Sequence, residues 1–267
     1  MQLRLALAAL PVILSPLLWL ASIPNAKAHE FWLEPYAFQV EAGASIIGNA
    51  KTGQNFKGYR HLYLPERFTR FELHAPDGMR PVDGIVGDVP ILNAPTFTQG
   101  LHVVVYQSTG QTVDFDDWSV FAGYLEDEGL PSILARHQER GLDPDKFTEG
   151  FVRCAKALVA VGHAKGGDRA FGLPLELIMS DNPFQTDRLA VRLLWQGEPL
   201  TDRQIKVFYK AGAESTAMRR DVTTNAAGEA LLPDLGPGQY LLNAVHMIED
   251  MDPPWISYWA STTFGRP

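Results

Sequence analysis

Cysteine is nearly absent from this chain: Cys154 is the only one among 267 residues. No intrachain disulfide can form, so the fold must be held by packing even in an oxidising compartment. Also missing are a Gly-x-Ser-x-Gly elbow, a glycine-rich phosphate loop, a Cys-x-x-Cys pair and a His-Glu-x-x-His helix. Without them the usual hydrolase, nucleotide-enzyme and metalloprotease readings lose their support. Positive charge is in deficit, with 23 Lys and Arg against 31 Asp and Glu and a formal net charge of −8. That balance disfavours nucleic acid as a partner. After residue 28 no apolar run is long enough to span a bilayer, so the mature chain has no expected transmembrane segment.

What is present begins with an export signal. Residues 1–28 carry a charge at Arg4, an apolar run from Leu5 to Ala21 and a small-residue site at Ala26-Lys-Ala28. Pro11 and Pro16 interrupt the run, which argues for a cleaved signal rather than an anchor. The expected cut follows Ala28 and sends the mature chain to the periplasm or outside the cell. Losing Arg4 and Lys27 moves the formal charge from −8 to −10. The cut leaves His29 as the N-terminus, and its α-amine and imidazole can then chelate one metal ion together, because the amine releases its proton near pH ~8.

The fold class expected is mainly β: two β-sandwich domains, the C-terminal one transthyretin-like or immunoglobulin-like, with a short helical insertion between them. Residues 29–115 show short alternating runs bounded by turn residues, such as Arg70-Phe-Glu-Leu-His74 before Pro76-Asp-Gly78. Residues 116–171 change to a helical period at Phe121, Leu125, Ile133, Leu134 and His137, giving two or three helices as an insertion or bridge. Phe147, Phe151, Cys154 and Leu158 fit one helical stripe that would bury the thiol. Strands return over residues 172–267, joined by Gly197-Glu-Pro199, Asn225-Ala-Ala-Gly228 and Gly236-Pro-Gly238 at the spacing of a seven-stranded sandwich.

Among seven histidines, His29 and His246 are the metal-ligand candidates. His246 ends an apolar run and leads into a loop carrying Glu249, Asp250 and Asp252, with Met247 and Met251 beside it. Imidazoles with an amine suit nickel, cobalt, copper or zinc, and added carboxylates pull away from copper. His61, His74, His102, His137 and His163 read as structural or surface residues. Trp255 and Trp259 read as core or as an aromatic wall over a site.

Taken together, His29-Glu-Phe-Trp-Leu-Glu-Pro35, Glu149-Gly-Phe-Val-Arg153-Cys-Ala-Lys156, Gly172-Leu-Pro-Leu-Glu176 and the stretch from Val245-His-Met247 to Phe264 resemble one exported family. It is the domain of unknown function 4198 family, whose members are often described as nickel or cobalt uptake accessory proteins. The resemblance implies a β-rich exported protein that binds a divalent transition metal, with nickel, cobalt or copper as cofactor, and hands it to a membrane metal-uptake system. It carries over His29 as mature terminus and His246 in the Val-His-Met motif, and it leaves a third ligand open. No catalytic residue is expected. Two alternatives stand beside this reading: a metal-free sandwich that binds a protein or glycan, and a copper-brace oxidative enzyme built on two histidines.

Overall fold

In the computed structural model, residues 29–212 and 214–267 are described, so the expected signal segment lies outside the described residues. The N-terminal part contributes β1 (Glu30–Pro35), β2 (Gln39–Val40), β3 (Ser45–Gln54), β4 (Lys57–Arg60), β5 (Phe68–Ala75), β6 (Gly78–Pro81), β7 (Leu92–Pro95), β8 (Gly100–Ser108) and β9 (Gln111–Phe115). Two helices follow, α1 (Trp118–Asp127) and α2 (Ser132–Glu139). The remainder is β10 (Phe147–Val161), β11 (Leu175–Met179), β12 (Ala190–Trp195), β13 (Glu198–Pro199), β14 (Gln204–Lys210), β15 (Met218–Thr223), β16 (Glu229–Leu231), β17 (Gly238–Glu249) and β18 (Trp255–Arg266). The mainly β expectation therefore stands.

One ten-stranded sheet runs through the molecule in the order β15-β14-β17-β18-β10-β8-β5-β6, with β2 and β9 also paired to β10. A four-stranded sheet of β1, β3, β4 and β7 covers one face of its N-terminal part, and another of β11, β12, β13 and β16 covers the opposite face. Strand alternation assigns the faces. Ala155, Ala157 and Val159 of β10 pack with Phe31, Leu33 and Ile46. Cys154 and Leu158 of the same strand pack with Leu175, Leu177 and Val191. The two sandwiches thus share their middle layer, and the expected boundaries at 115 and 172 fall across it.

The expected third helix over residues 147–161 is instead β10, which pairs in parallel with β18 from Glu149↔Trp255 to Ala157↔Thr263 and antiparallel with β8 and β9. Its C-terminal part is buried on both faces, so its side chains carry no alternation, and the helix-like spacing of Phe147, Phe151, Cys154 and Leu158 was accidental. Phe147 and Phe151 go to one face, Cys154 and Leu158 to the other. The thiol is buried and free, and burial pushes its pKa up to about 12.

The two observed helices cover the part of the first face that β1, β3, β4 and β7 leave open. Asp117 caps α1 by accepting from the Ser119 amide at 2.8 Å, and Phe121, Tyr124 and Leu125 form its buried side. They pack with Val245, Met247, Trp255 and Trp259 of the sheet. The β3–β4 hairpin turns at Asn55 and Phe56, both at positive φ (52° and 59°), as a two-residue hairpin of this kind requires. Phe56 tolerates that conformation because its ring is buried with Trp32, Phe208 and Leu241, and Lys210 Nζ donates to its carbonyl at 2.8 Å.

Candidate functional site

His29 immediately precedes β1, and its carbonyl accepts a hydrogen bond from Arg153 Nη1 at 2.5 Å. Arg153 belongs to the face of the large sheet that carries Trp259, over whose ring its guanidinium lies at 4.5 Å. His246 is on the other face. In the unbroken β17–β18 register Val245 pairs with Trp259 and His246 with Tyr258. The His246 ring accordingly packs edge-on to Trp195 of β12, with centroids 4.7 Å apart. The large sheet separates the two histidines, so the pair named from the sequence does not form one site. Burial and the charge of Arg203 lower the His246 pKa to about 4, leaving a neutral imidazole.

Glu249 of the acidic loop after His246 does not face it either. Glu249 pairs with Arg136 and Arg140 of the α2 region, Met247 lies in the aromatic core, and Met251 is exposed. His137 bridges Trp255 Nε1, from which Nδ1 accepts at 3.0 Å, and the Asp143 carbonyl, to which Nε2 donates at 3.2 Å. His102 is fully buried against the Gly100 carbonyl, and His74 pairs with Glu72.

The structure brings different residues to the His29 end. Carboxylate oxygens of Glu30, Asp127 and Glu128 lie within 4.8 Å of one another. Glu30 comes from β1, Asp127 ends α1 and Glu128 follows it. They line a cavity of about 390 Å³ together with Gln54, Ser119 and Tyr124. Lys206 of β14 points into the trio, its Nζ 2.5 Å from Asp127 Oδ2, 2.6 Å from Glu128 Oε1 and 3.5 Å from Glu30 Oε1. Arg219 adds a second cation at Asp127, 2.5 Å from Oδ1.

Burial sets the protonation of this cluster. It pushes Glu128 up to about 7 and raises Glu30, in each case against the pull of Lys206. Asp127 is more exposed, and there the hydrogen bonds from Lys206 and Arg219 overcome burial and lower its pKa. Glu30 is 4% exposed, and its Oε2 is buried with no hydrogen-bond partner.

The motifs singled out in the sequence prove to be partners of one another. Arg153 binds the His29 carbonyl. Glu149 is fully buried, accepts from the Ser257 hydroxyl and from Tyr124 OH, and Ser257 in turn accepts from Trp259 Nε1 at 2.9 Å. Lys156 binds Asp168 and lies 3.3 Å from Glu176, whose carboxylate accepts the amides of Phe171, Gly172 and Leu173. These contacts staple distant segments together, and they explain the motifs without assigning a reaction to them. Lys206, Asp127 and Glu128 escaped the sequence reading because nothing local marks them: they meet Glu30 only through long-range packing.

A family model described as Domain of unknown function (DUF4198) matches residues 26–248. Among curated proteins none matches. Solved structures with partial similarity include a tetra-tandem repeat from the extending region of a large adhesion protein, 12% identical, with a TM-score of 0.20 over 89% of this chain and 49% of that one. Another is Escherichia coli alpha-2-macroglobulin activated by porcine elastase, 10% identical, with a TM-score of 0.22 over 90% of this chain and 20% of that one. This chain therefore spans half or less of those proteins, and scores this low carry no argument. No helix among the described residues is long and apolar enough to cross a membrane.

Proposed function

The chain belongs to the DUF4198 family, and from that premise we propose that it is an exported binding protein, without catalytic activity, that captures a divalent transition metal at the His29 end of β1. Nickel or cobalt is favoured over copper. The observation that carries this reading is the carboxylate trio of Glu30, Asp127 and Glu128, whose first member follows His29 in the chain, with Glu30 Oε2 buried and unpartnered. In the processed chain the amine and imidazole of His29 would supply nitrogen, and Glu30 and Glu128 would supply oxygen. His246 has no part in this site.

The donor chemistry fits a metal of intermediate softness. Glu128, and Glu30 with it, holds its proton more tightly than an exposed carboxyl, so binding a dication there releases protons and strengthens as pH rises. Lys206 competes, because its ammonium already contacts all three carboxylates. That competition suits a carrier that must release its cargo to a membrane uptake system. A copper brace would need a second imidazole beside the first, which His246 does not supply. The metal-free interaction module stands second, supported by the exposed side chains of Ile85, Val86 and Val89 between β6 and β7.

Calorimetric titration with nickel tests the proposal on a chain beginning at His29 and on one bearing a single extra N-terminal residue. The proposal expects binding by the first and at least a tenfold loss in the second. Equal affinities would remove the α-amine from the site, and no binding by either would move the reading to the interaction module.

A further inference from the structure

A second cavity, of about 450 Å³, lies on the other side of β1. It is lined by aromatic and aliphatic side chains, among them Phe31, Phe68, Tyr106 and Phe151, and by three arginines, Arg60, Arg67 and Arg153. No aspartate or glutamate lines it, although acidic residues outnumber basic ones in the chain. Among the described residues none of the three arginines has a carboxylate within ion-pair distance.

Arg153 is the telling member. It is 7% exposed, yet the direct contacts of its guanidinium are the His29 carbonyl and the rings of Phe151 and Trp259, 4.9 and 4.5 Å away, while the carboxylates of Glu149, Glu128 and Glu30 act on it only from beyond ion-pair distance. A buried cation is costly unless it is paired, and five guanidinium N–H groups are more than one carbonyl can satisfy. The Ser108 hydroxyl accepts the Arg153 amide at 2.8 Å and keeps its own proton to donate. We propose that this cavity binds a small organic carboxylate, with its charge on Arg153 and Arg67 and its apolar or aromatic body against Phe31, Phe68 and Tyr106.

The chemistry of the walls selects this class over an inorganic anion, which would leave the aromatic side chains without a contact. The volume falls within the ~300–1,000 Å³ usual for small-molecule sites. His61 reports the same positive field from inside the cavity. Its Nε2 lies 2.8 Å from Thr52 Oγ1, and burial together with the charges of Arg153 and Arg67 lowers its pKa to about 4. The cavity shares no lining residue with the acidic one, although Arg153 also holds the His29 carbonyl.

The test is calorimetric titration of the chain beginning at His29 with 2-naphthoate, with uncharged 2-naphthamide and with inorganic phosphate. The proposal expects one naphthoate per chain, at least tenfold weaker binding of the amide, and no displacement of naphthoate by phosphate. Arg67→Gln, at an exposed position, should weaken naphthoate tenfold or more with thermal unfolding unchanged, and Arg153→Lys should weaken it further. Equal binding of acid and amide, displacement by phosphate, no binding of naphthoate at millimolar concentration, or unchanged affinity in folded Arg67→Gln protein would each overturn it.

Discussion

The two cavities beside β1 have opposite charge and opposite internal accounting. On one side Glu30 joins Asp127 and Glu128, and Lys206 and Arg219 answer them from β14 and β15. On the other, Phe31 shares a cavity with Arg60, Arg67 and Arg153, and no carboxylate lines it. Successive residues of a strand point in opposite directions, so one short strand can divide the two environments. The difference teaches where a ligand is needed. Charges that meet partners inside the protein contribute to the fold first, whereas a buried cation with no carboxylate in ion-pair distance, as Arg153 is, points outward to something the chain does not contain.

The largest effect should come from breaking the balanced side. Lys206→Met would leave Glu30 and Glu128 buried without their cation and should cost about 3–5 kcal/mol in urea unfolding at pH 7. A loss below about 1 kcal/mol would mean that the trio is better solvated than its burial indicates.

Next comes Glu149, the buried acid on the same strand as Arg153. Burial pushes Glu149 from 4.5 up to about 7. The folded chain keeps a proton across this window that the unfolded chain gives up, so stability falls as pH rises from 4.5 to 7, and the penalty is complete above 7. Glu149→Gln should remove about 3 kcal/mol of that slope, read as a smaller difference in unfolding free energy between pH 5 and pH 8.

His246 gives a smaller effect of opposite sign. Its folded pKa of about 4 lies below the 6.5 of the unfolded chain, so stability is fully present above 6.5 and is lost as pH falls towards 4. His246→Phe, stacking on Trp195, should flatten the acid limb by about 1–2 kcal/mol once partial solvent exposure is allowed for. Smallest of all, His246→Ala should change nickel affinity less than twofold, because the large sheet stands between it and His29. A tenfold loss in that variant would restore the shared-histidine site and sink the assignment to the acidic trio.

Much of this architecture is legible in the sequence. Alternation and turn chemistry mark β5, β8, β14 and β17 close to their observed limits, and a helical period marks α1 and α2. β10 is misread because a strand covered on both faces loses the alternation that identifies a strand, and its apolar spacing then mimics a helix. His29 stands out through its place after the expected cut. Its pairing with His246 fails for a reason no spacing reveals: the face to which His246 points depends on the parallel pairing of β10 with β18, which fixes Trp259 beside Arg153 and puts Tyr258 and His246 opposite. Glu30 is visible within its motif, but its partners are supplied by a helix end and a strand far along the chain.

The most direct test of the account is to locate a paramagnetic metal by NMR in the ¹⁵N-labelled chain beginning at His29. With substoichiometric nickel or copper(II), the amide signals of Gln54, Ser119 and Gly123 around the acidic cavity should broaden first, while the Trp195 indole signal beside His246 stays sharp. Early loss of the Trp195 indole signal with the other three unchanged would contradict a metal site at the His29 end of β1.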